Sequence, residues 1–353
     1  MKVIDLRSDT VTKPTQQMKK TMLEAEVGDD VFGEDELTNK FQFKMATLFG
    51  MEAGLYVPSG TMSNQLALKV LTQPSNEVLI ESKGHILQYE TGGASFLSAV
   101  QLFPLHGNSG KLNAAQITSA VRGTYDWEPE TKVVCVEHST NKGGGTVYSL
   151  DELRSIKREC QRHKLYLHVD GARIWNAMVA TGQKPHEIGQ LADTLSICFS
   201  KGLGAPVGSM LLSSSKNIAK ARRFRKMWGG GMRQIGLLTA AADYAVQHHW
   251  PKLAMDHKHA KAFAKAVNET GTLSVDLDSV QTNIILFDTG AKTALEVLDI
   301  FGQQGIKMVS FGTSTVRATF HFQIEESDVD RLIKVTKSCL SQRVSKSSNL
   351  RKT

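Results

Sequence analysis

Short apolar runs alternate with helix-like patterns along the chain from about residue 54 to residue 212. Each run has the length of a β-strand and is followed by turn residues and then by apolar positions at helical spacing. The runs lie at residues 54–57, 77–80, 100–103, 132–136, 165–169 and 195–199. Strands that alternate with helices over about 150 residues predict an α/β fold with a mostly parallel sheet covered by helices on both faces.

One helix between these runs is signalled with particular clarity. Ser149 and Glu152 have the spacing of a capping box, in which each side chain binds the other residue's backbone N–H group. Leu150, Leu153 and Ile156 then follow at helical spacing and give the helix an apolar face. The sequence therefore predicts that a helix begins at this point and packs on the sheet.

The pattern changes after Gly231. A long helical region over residues 234–270 leads to two strand-like runs and two further helices, at residues 283–287, 293–304, 316–320 and 329–340. We predict a large domain over residues 31–235 and a smaller C-terminal α+β domain over residues 236–342. Residues 343–353 are rich in Ser, Lys and Arg, and we expect a disordered basic tail there.

Composition narrows the class of protein. The 353 residues are 41% hydrophobic and 22% charged, which is typical of a folded globular chain. No apolar run approaches the roughly 18 residues of a membrane span, and acidic residues near the amino terminus argue against an export signal. The four cysteines lack metal-binding spacing, so we expect no metal site and a reducing, cytoplasmic location.

The net charge of +7 raises the question of a nucleic-acid partner. Much of the excess lies in residues 220–226 and in the tail, and no nucleic-acid-binding motif accompanies it. We therefore expect a solvated basic face rather than a nucleic-acid site, and anionic small substrates remain open.

The first candidate for chemistry joins the strand at residues 54–57 to a helix. Ser59, Gly60 and Thr61 bring hydroxyl groups and backbone N–H groups to the helix amino terminus, an arrangement that suits a phosphate. The alternative is an ordinary capped turn, since Ser and Thr favour that position in any helix.

Three further candidates follow other strands. Asp170 ends a buried strand, where the carboxylate needs a partner such as a pyridinium nitrogen, a metal or Arg173, or else caps the next helix. Lys201 follows the strand at residues 195–199 in a glycine-rich turn, and is either a surface lysine or an amine able to form a Schiff base. His85 follows the strand at residues 77–80, either as an ordinary turn residue or as a catalytic ring that stacks on a planar cofactor or moves protons.

Together these residues place a phosphate site, a stacking ring, an acid and a lysine at strand ends of one sheet. Pyridoxal phosphate requires this combination, because its ring nitrogen needs an acid partner and its aldehyde needs an amine. The absence of a GxGxxG motif after the first strand argues against a dinucleotide-binding oxidoreductase.

The chain resembles the low-specificity L-threonine aldolases, which are fold-type-I pyridoxal-phosphate enzymes of the β-eliminating lyase group. The resemblance rests on segments in the family's order: LRSDTVT at 6–12, GDDVFGED at 28–35, PSGTMSN at 58–64, HVDGAR at 168–173, SKGLGAPVG at 200–208, RKMWGGGMRQ at 225–234 and VR at 316–317. It implies cleavage of L-threonine and L-allo-threonine to glycine and an aldehyde. The alternative is another fold-type-I lyase or transferase, such as a phenylserine-type aldolase.

The resemblance also implies roles for individual residues. Lys201 is the implied Schiff-base lysine, with Ser200 beside it in the cofactor site, and Asp170 the implied partner of the ring nitrogen. His85 is expected to stack on the ring, and Ser59, Gly60 and Thr61 to hold the phosphate. Arg173 is expected to contact the cofactor's phenolic oxygen or the substrate carboxylate, and Ser8 and Arg317 are expected to hold that carboxylate. Lys226 is expected to reach the phosphate from a neighbouring subunit.

Further expectations follow from the same resemblance. We expect a homodimer or homotetramer with shared active sites, in which residues 1–30 and 28–35 help to build the site. The sequence departs from the family at residues 137–141, EHSTN, where members commonly carry a histidine at the place of Thr140. His138 lies two residues earlier, which is about 6–7 Å along an extended strand.

Overall fold

The computed structural model describes residues 2–123 and 125–341 of the chain, so the predicted basic tail at residues 343–353 lies outside the described residues. Within them the helices are α1 Gln16–Leu23, α2 Glu36–Phe49, α3 Gly60–Leu71, α4 His85–Gln88, α5 Gly93–Ser98, α6 Ala114–Ala120, α7 Leu150–Arg162, α8 Ile174–Thr181, α9 Pro185–Gly189, α10 Ser215–Met227, α11 Gly236–His248, α12 Leu253–Asn268, α13 Ala294–Gln303 and α14 Glu326–Leu340. The strands are β1 Ile4–Asp5, β2 Ala53–Val57, β3 Glu77–Glu81, β4 Gln101–Leu105, β5 Thr131–Glu137, β6 Tyr166–Gly171, β7 Thr194–Cys198, β8 Ser209–Ser213, β9 Ile284–Asp288, β10 Ile306–Lys307, β11 Val309–Ser310 and β12 Thr315–Thr319.

A seven-stranded sheet forms the centre of the larger part of the molecule. Its strand order is β2-β8-β7-β6-β5-β3-β4, and the strands from β7 to β4 are parallel to one another. Every residue of β3, β7 and β8 is buried, as expected for strands covered by helices on both faces. The predicted α/β architecture with a mostly parallel sheet is confirmed.

Strand β8 is a part of this sheet that the apolar runs did not predict. It pairs antiparallel with both β7 and β2. Only residues 199–208 connect β7 to β8, which is too short for the crossover that a parallel connection requires. The turn that carries Lys201 is therefore a tight return between two neighbouring strands.

The helix predicted from the capping box is α7. The backbone N–H of Glu152 donates to Ser149 Oγ at 3.1 Å, and the backbone N–H of Ser149 donates to Glu152 Oε2 at 2.7 Å. Leu153 and Ile156 are fully buried in the core. The local cap and the apolar face thus act together, and the predicted helix is confirmed.

The long helical region predicted over residues 234–270 is divided into α11 and α12. A 3-10 turn, Trp250–Lys252, separates the two helices and contains Pro251. Proline lacks the N–H group that an α-helix interior needs, so the helix ends before it and a new one starts behind it.

The C-terminal part has a core of its own. Strands β11, β12 and β9 form an antiparallel sheet, and its core contains Phe263, Phe287, Phe301 and Phe320. The amino terminus joins this part, because β1 pairs with β10 and Ile4 is buried in the same core. No helix among the described residues combines the length and apolarity needed to cross a bilayer. The division into domains stays a prediction.

The carboxyl ends of the parallel strands meet at one edge of the large sheet. Glu137 at the end of β5 lies opposite Asp170 in β6, and Asp170 lies opposite Ser196 in β7. The loops that carry His85 and Lys201 leave the sheet at the same edge, after β3 and β7. In open α/β sheets this edge is where ligands bind.

Candidate active site

A cavity of about 730 Å³ lies where this edge of the sheet faces the C-terminal part. Five residues that the sequence predicts for the site line it: Ser8, His85, Arg173, Lys201 and Arg317. They come from the amino-terminal segment, from the loops after β3, β6 and β7, and from β12. The fold thus brings together candidates that are more than 300 positions apart in the chain.

Lys201 is half-buried in the turn after β7 and lines the cavity. Its backbone is held by Thr12, whose Oγ1 donates to the carbonyl oxygen of Lys201 at 2.9 Å. Within residues 2–123 and 125–341, Lys201 Nζ forms neither a hydrogen bond nor an ion pair. Its neighbour Ser200 is half-buried and does not line the cavity. The cavity therefore contains a primary amine that has no hydrogen-bonding or ionic partner in the described part of the chain.

Asp170 lies just behind the cavity in β6, and its side chain is almost completely buried. The backbone N–H of Ala172 donates to Oδ1 at 3.0 Å, and Asn64 Nδ2 donates to Oδ2 at 2.8 Å. Of the partners that the sequence allowed for Asp170, Arg173 is not used. Both observed partners leave acceptor capacity on the carboxylate.

Arg173 is instead paired with Asp9. Nε donates to Asp9 Oδ2 at 2.8 Å and Nη2 donates to Oδ1 at 2.7 Å, and both side chains are buried. Burial raises the pKa of Asp9, but the positive charges of Arg173 and Lys201 outweigh it and lower that pKa to about 2. Nη1 is the guanidinium nitrogen of Arg173 that Asp9 leaves free for another contact.

Arg317 is a buried cation on the other side of the cavity. Nη1 donates to Asn141 Oδ1 at 2.6 Å and Nη2 donates to the carbonyl oxygen of Arg7 at 2.8 Å. Both acceptors are neutral, and no carboxylate in the described part of the chain forms an ion pair with it. Burial, together with the positive charge of Arg173, lowers the pKa of Arg317 to about 10. A buried guanidinium without a counter-ion favours an anionic ligand.

His85 begins helix α4 and presents its ring to the cavity. Nδ1 lies 2.9 Å from Glu90 Oε1, and the backbone N–H donates to Glu137 Oε2 at 3.1 Å. Burial lowers the pKa of His85, but the hydrogen bond to Glu90 and the charge of Asp170 outweigh it, so the pKa is raised. The ring is thereby fixed in place with its other nitrogen, Nε2, available.

The predicted phosphate site lies at the amino terminus of α3 and does not line the cavity. Ser59 Oγ accepts from the backbone N–H of Met62 at 3.2 Å, so Ser59 is the helix cap that the alternative interpretation expected. No hydrogen bond to the N–H groups of Gly60 and Thr61 occurs among the described residues. A Cβ on Gly60 would lie 2.8 Å from Cys198 Sγ, so glycine allows the helix terminus to approach the end of β7 closely.

Lys226 lies apart from the other predicted residues. It is in the last turn of α10 and lines a separate cavity of about 460 Å³, together with the basic residues Arg222, Arg223 and Arg225. The structure does not bring Lys226 to the cavity of its own chain, and its predicted role across a subunit interface stays a prediction.

In residues 137–141, where the sequence departs from the family, two side chains do not line the cavity. Thr140 is buried, and its Oγ1 lies 2.7 Å from Thr146 Oγ1. His138 is fully buried: Nδ1 accepts from the backbone N–H of Tyr148, and Nε2 lies 3.0 Å from Gln183 Oε1. Burial lowers the pKa of His138 to about 4. His138 therefore does not replace the family's histidine, and the residues of this loop that line the cavity are Asn141 and Lys142.

Sequence reasoning missed several residues that organise the site. Glu137 accepts from the backbone N–H groups of His85 and Asn141, and burial together with the charge of Asp170 raises its pKa to about 7. Asn64 and Glu90 hold Asp170 and His85. A signal was present at Asn64, since asparagine is a poor helix former inside a predicted helix. Glu90 and Asn141 lie in loops, where no periodicity marks them.

Among the described residues, three side chains of the kinds that bind metal ions lie close together at this site. Potential ligand atoms of His85, Glu90 and Asp170 lie within 4.8 Å of one another. The amide of Asn64 donates to both carboxylates of this group. The three side chains are thus already joined by hydrogen bonds, and we assign no metal to them.

Comparison with known proteins places this site in a family. Residues 5–289 match the model of the β-eliminating lyase family. The chain belongs to this family. It is 39% identical over 349 residues to low-specificity L-threonine aldolase 1 of Arabidopsis thaliana, covering 97% of this chain and 96% of the relative. It is 38% identical over 293 residues to the low-specificity L-threonine aldolase of Escherichia coli K12, covering 83% and 86%. The resemblance found in the motifs is confirmed.

Solved structures agree on the fold. The Leishmania major threonine aldolase superposes with a TM-score of 0.84 at 21% identity, covering 96% of this chain and all of that chain. A serine palmitoyltransferase from Sphingomonas wittichii superposes with a TM-score of 0.73 at 14% identity, covering 96% and 87%. At these identities the likeness concerns the fold, and it agrees with the predicted fold-type-I architecture.

Proposed function

We propose that the protein is a pyridoxal-phosphate-dependent aldolase that cleaves L-threonine and L-allo-threonine to glycine and acetaldehyde. The observation that carries the proposal is the cavity itself, in which the amine of Lys201 and the cation of Arg317 face the same space, neither of them ion-paired within residues 2–123 and 125–341. The relatives named low-specificity L-threonine aldolase support the reaction and the substrate class.

The residues present fit the cofactor. Lys201 would bind its aldehyde, Asp170 would accept from the ring nitrogen with its remaining acceptor capacity, and His85 would stack on the ring. The N–H groups at Gly60 and Thr61, which have no acceptor among the described residues, would hold the phosphate, with Ser59 and Ser200 beside it. When bound, pyridoxal phosphate supplies an electron-accepting ring system next to the substrate's α-carbon.

The substrate carboxylate is assigned to Arg317. Its guanidinium is buried and held by neutral acceptors, so an incoming carboxylate supplies the missing negative charge. Ser8 lines the same cavity, and Arg173 Nη1 is the nitrogen that Asp9 leaves free. Holding the carboxylate fixes the orientation of the bond that has to break.

We assign to His85 the role of the base that accepts the proton of the substrate's β-hydroxyl group. Its Nδ1 is bound to Glu90, so Nε2 is the atom that accepts the proton as the Cα–Cβ bond breaks and the aldehyde leaves. Return of this proton to the α-carbon gives glycine and restores His85, so the proton count balances. His138 and Thr140 do not line the cavity, which leaves His85 as its imidazole in the described part of the chain.

We further propose a homodimer or homotetramer with shared active sites in the cytoplasm. Exposed apolar side chains lie near the basic cavity of Lys226, including Phe32 at 74% and Met227 at 73% exposure, which supports a second copy covering this surface. Three of the four cysteines are buried and unbridged, which supports a reducing compartment.

The deciding experiment is an aldehyde assay with purified, cofactor-supplemented protein. L-Threonine, L-allo-threonine and L-phenylserine are offered separately, and we expect aldehyde and glycine in equal amounts from the first two. Tyr89, which is half-exposed, and Phe311 both line the cavity, and these aromatic side chains favour phenylserine as the substrate of the alternative function. Amino-group transfer without aldehyde release would overturn the aldolase assignment.

A further inference from the structure

The side-chain amide of Asn64 lies between two buried carboxylates. Its Nδ2 donates to Asp170 Oδ2 at 2.8 Å and to Glu90 Oε1 at 2.9 Å, and Asn64 itself is buried. An amide nitrogen carries two hydrogens, and both are used here. A single side chain therefore fixes the spacing of two negative groups that would otherwise repel each other.

His168 fixes the orientation of this amide. Burial lowers the pKa of His168 to about 4, so its ring is neutral and carries one proton. Because the amide nitrogen faces two acceptors, Asn64 Oδ1 accepts from His168 Nε2 at 3.1 Å. His168 Nδ1 then accepts from the hydroxyl group of Thr194 at 2.9 Å. With these partners assigned, the amide has one favourable orientation.

Glu90 extends the arrangement to the cavity. Its Oε1 accepts from Asn64 and also from His85 Nδ1 at 2.9 Å, while Oε2 accepts from Gln65 Nε2 at 2.6 Å. These three contacts all place a donor against a carboxylate oxygen of Glu90, so His85 carries a proton on Nδ1. When the ring is neutral, Nε2 is the acceptor and faces the cavity.

We propose that Asn64 is a positioning residue that couples Asp170 to His85 through Glu90. The inference rests on the proposed function, in which Asp170 contacts the ring nitrogen and His85 accepts the substrate's proton. One amide thus sets the geometry of two functional groups, Asp170 on β6 and His85 at the start of α4, and losing its N–H groups changes both at once. A purely structural hydrogen bond between α3 and the sheet would change stability alone.

The principal test is Asn64→Asp, which keeps an acceptor for His168 and replaces the N–H donors by a third carboxylate. We expect kcat for L-threonine to fall about 100-fold, as for other small displacements of catalytic groups. KM is expected to stay within about threefold, because Arg317 is untouched. The pH dependence of the cofactor's visible absorption band should also move, since the environment of Asp170 has changed.

Glu90→Gln tests the link to His85 separately. The substitution keeps the shape of the side chain but removes the charge that raises the pKa of His85. The other groups facing the ring are Asp170 and Glu137, which carry negative charge when ionised, and the cation of Lys201. The acidic limb of the pH–rate profile is therefore expected to move to lower pH. The same shift should appear in the NMR titration of the His85 ring, with or without substrate turnover.

Thr72→Val is the matched control. It removes a buried hydrogen bond, from Thr72 Oγ1 to the carbonyl oxygen of Leu68, at the other end of the same helix. We expect a lower melting temperature, with kcat and the absorption band unchanged. If Asn64→Asp behaves like this control, the proposal is overturned. If Asn64→Asp does not fold, Glu90→Gln decides, and an unmoved titration of His85 contradicts the coupling. Wild-type protein that releases no aldehyde contradicts the proposed function instead.

Discussion

Arg173 and Asp9 form a buried, two-pronged ion pair, with nitrogen–oxygen distances of 2.7 and 2.8 Å. The pair joins the loop after β6 to the amino-terminal segment, 164 positions away in the chain. Two of the three guanidinium nitrogens of Arg173 are therefore engaged before any ligand arrives. Within the cavity, this makes Arg317 the better candidate for the substrate carboxylate and Arg173 mainly an anchor of the amino-terminal wall.

We expect Asp9→Asn to lower the free energy of unfolding by about 3 kcal/mol, because it leaves the Arg173 charge buried without its partner. Since pairing lowers the pKa of Asp9 to about 2, this stabilisation is complete above the ordinary value near 3.8 and is lost as the pH falls through 2. Urea denaturation at pH 7 measures the loss. Glu36→Gln, which breaks an exposed pair with Lys40, is the control and should leave the free energy of unfolding nearly unchanged.

We expect Arg317→Gln to raise KM for the amino-acid substrate with a smaller effect on kcat. A hydrogen bond to a charged group contributes about 1.5–3 kcal/mol, which corresponds to roughly 10- to 150-fold in KM. Steady-state kinetics measure the change. Arg122→Gln is the control, since Arg122 pairs with Glu77 at the opposite end of β3, and its KM should equal that of the wild type. An unchanged KM in Arg317→Gln would remove Arg317 from the substrate site.

Lys201→Ala should lower the rate of aldehyde release by about 1,000-fold or more, because it removes the amine that binds the cofactor. The fold should survive, because the side chain lines a cavity rather than the core. Visible absorption and circular dichroism together measure the loss of the bound-cofactor band and the retention of structure. Lys83→Ala removes an exposed lysine from the loop after β3 and serves as the control. A variant that retains both the band and the activity would exclude the assignment of Lys201.

The predicted role of Lys226 across a subunit interface calls for a mixing experiment. Lys201→Ala and Lys226→Ala are each expected to be inactive alone. If the two residues serve one site from different subunits, random reassembly of the two variants places both intact residues in some sites, restoring about a quarter of wild-type activity. Mixtures that stay inactive, although mass spectrometry shows mixed oligomers, would place Lys226 outside the partner's site.

Much of the fold could be predicted from the sequence, because the signals for strands and helices lie in neighbouring residues. Apolar runs of strand length alternate with capped helices, and Asp170 and Lys201 follow such runs directly, so their meeting at one sheet edge can be predicted from topology. The capping box at Ser149 needs only four neighbouring residues, and it forms as predicted. Pyridoxal phosphate likewise followed from residue types at successive strand ends.

The remaining parts of the site depend on contacts between distant residues. The partner of Arg173 is Asp9, although the adjacent strand end offered Asp170, and nothing local distinguishes the two. Asn64 meets Asp170 106 positions away, through the packing of α3 on the sheet. His138 and Thr140 illustrate the same limit, since the conformation of their loop decides which side chains reach the cavity.

The pairing of β1 with β10 has a consequence for how the chain is made. Ile4 leaves the ribosome about 300 positions before its neighbour Ile306, and Lys2 binds Asp328, which comes later still. At about 5–20 residues per second, the first strand waits roughly 15–60 seconds for its partner. The large sheet can assemble during that time, but the wall that carries Ser8 and Asp9 closes only after β10 and Asp328 have been made. Activity is therefore acquired only after the chain has been made through β10 and Asp328.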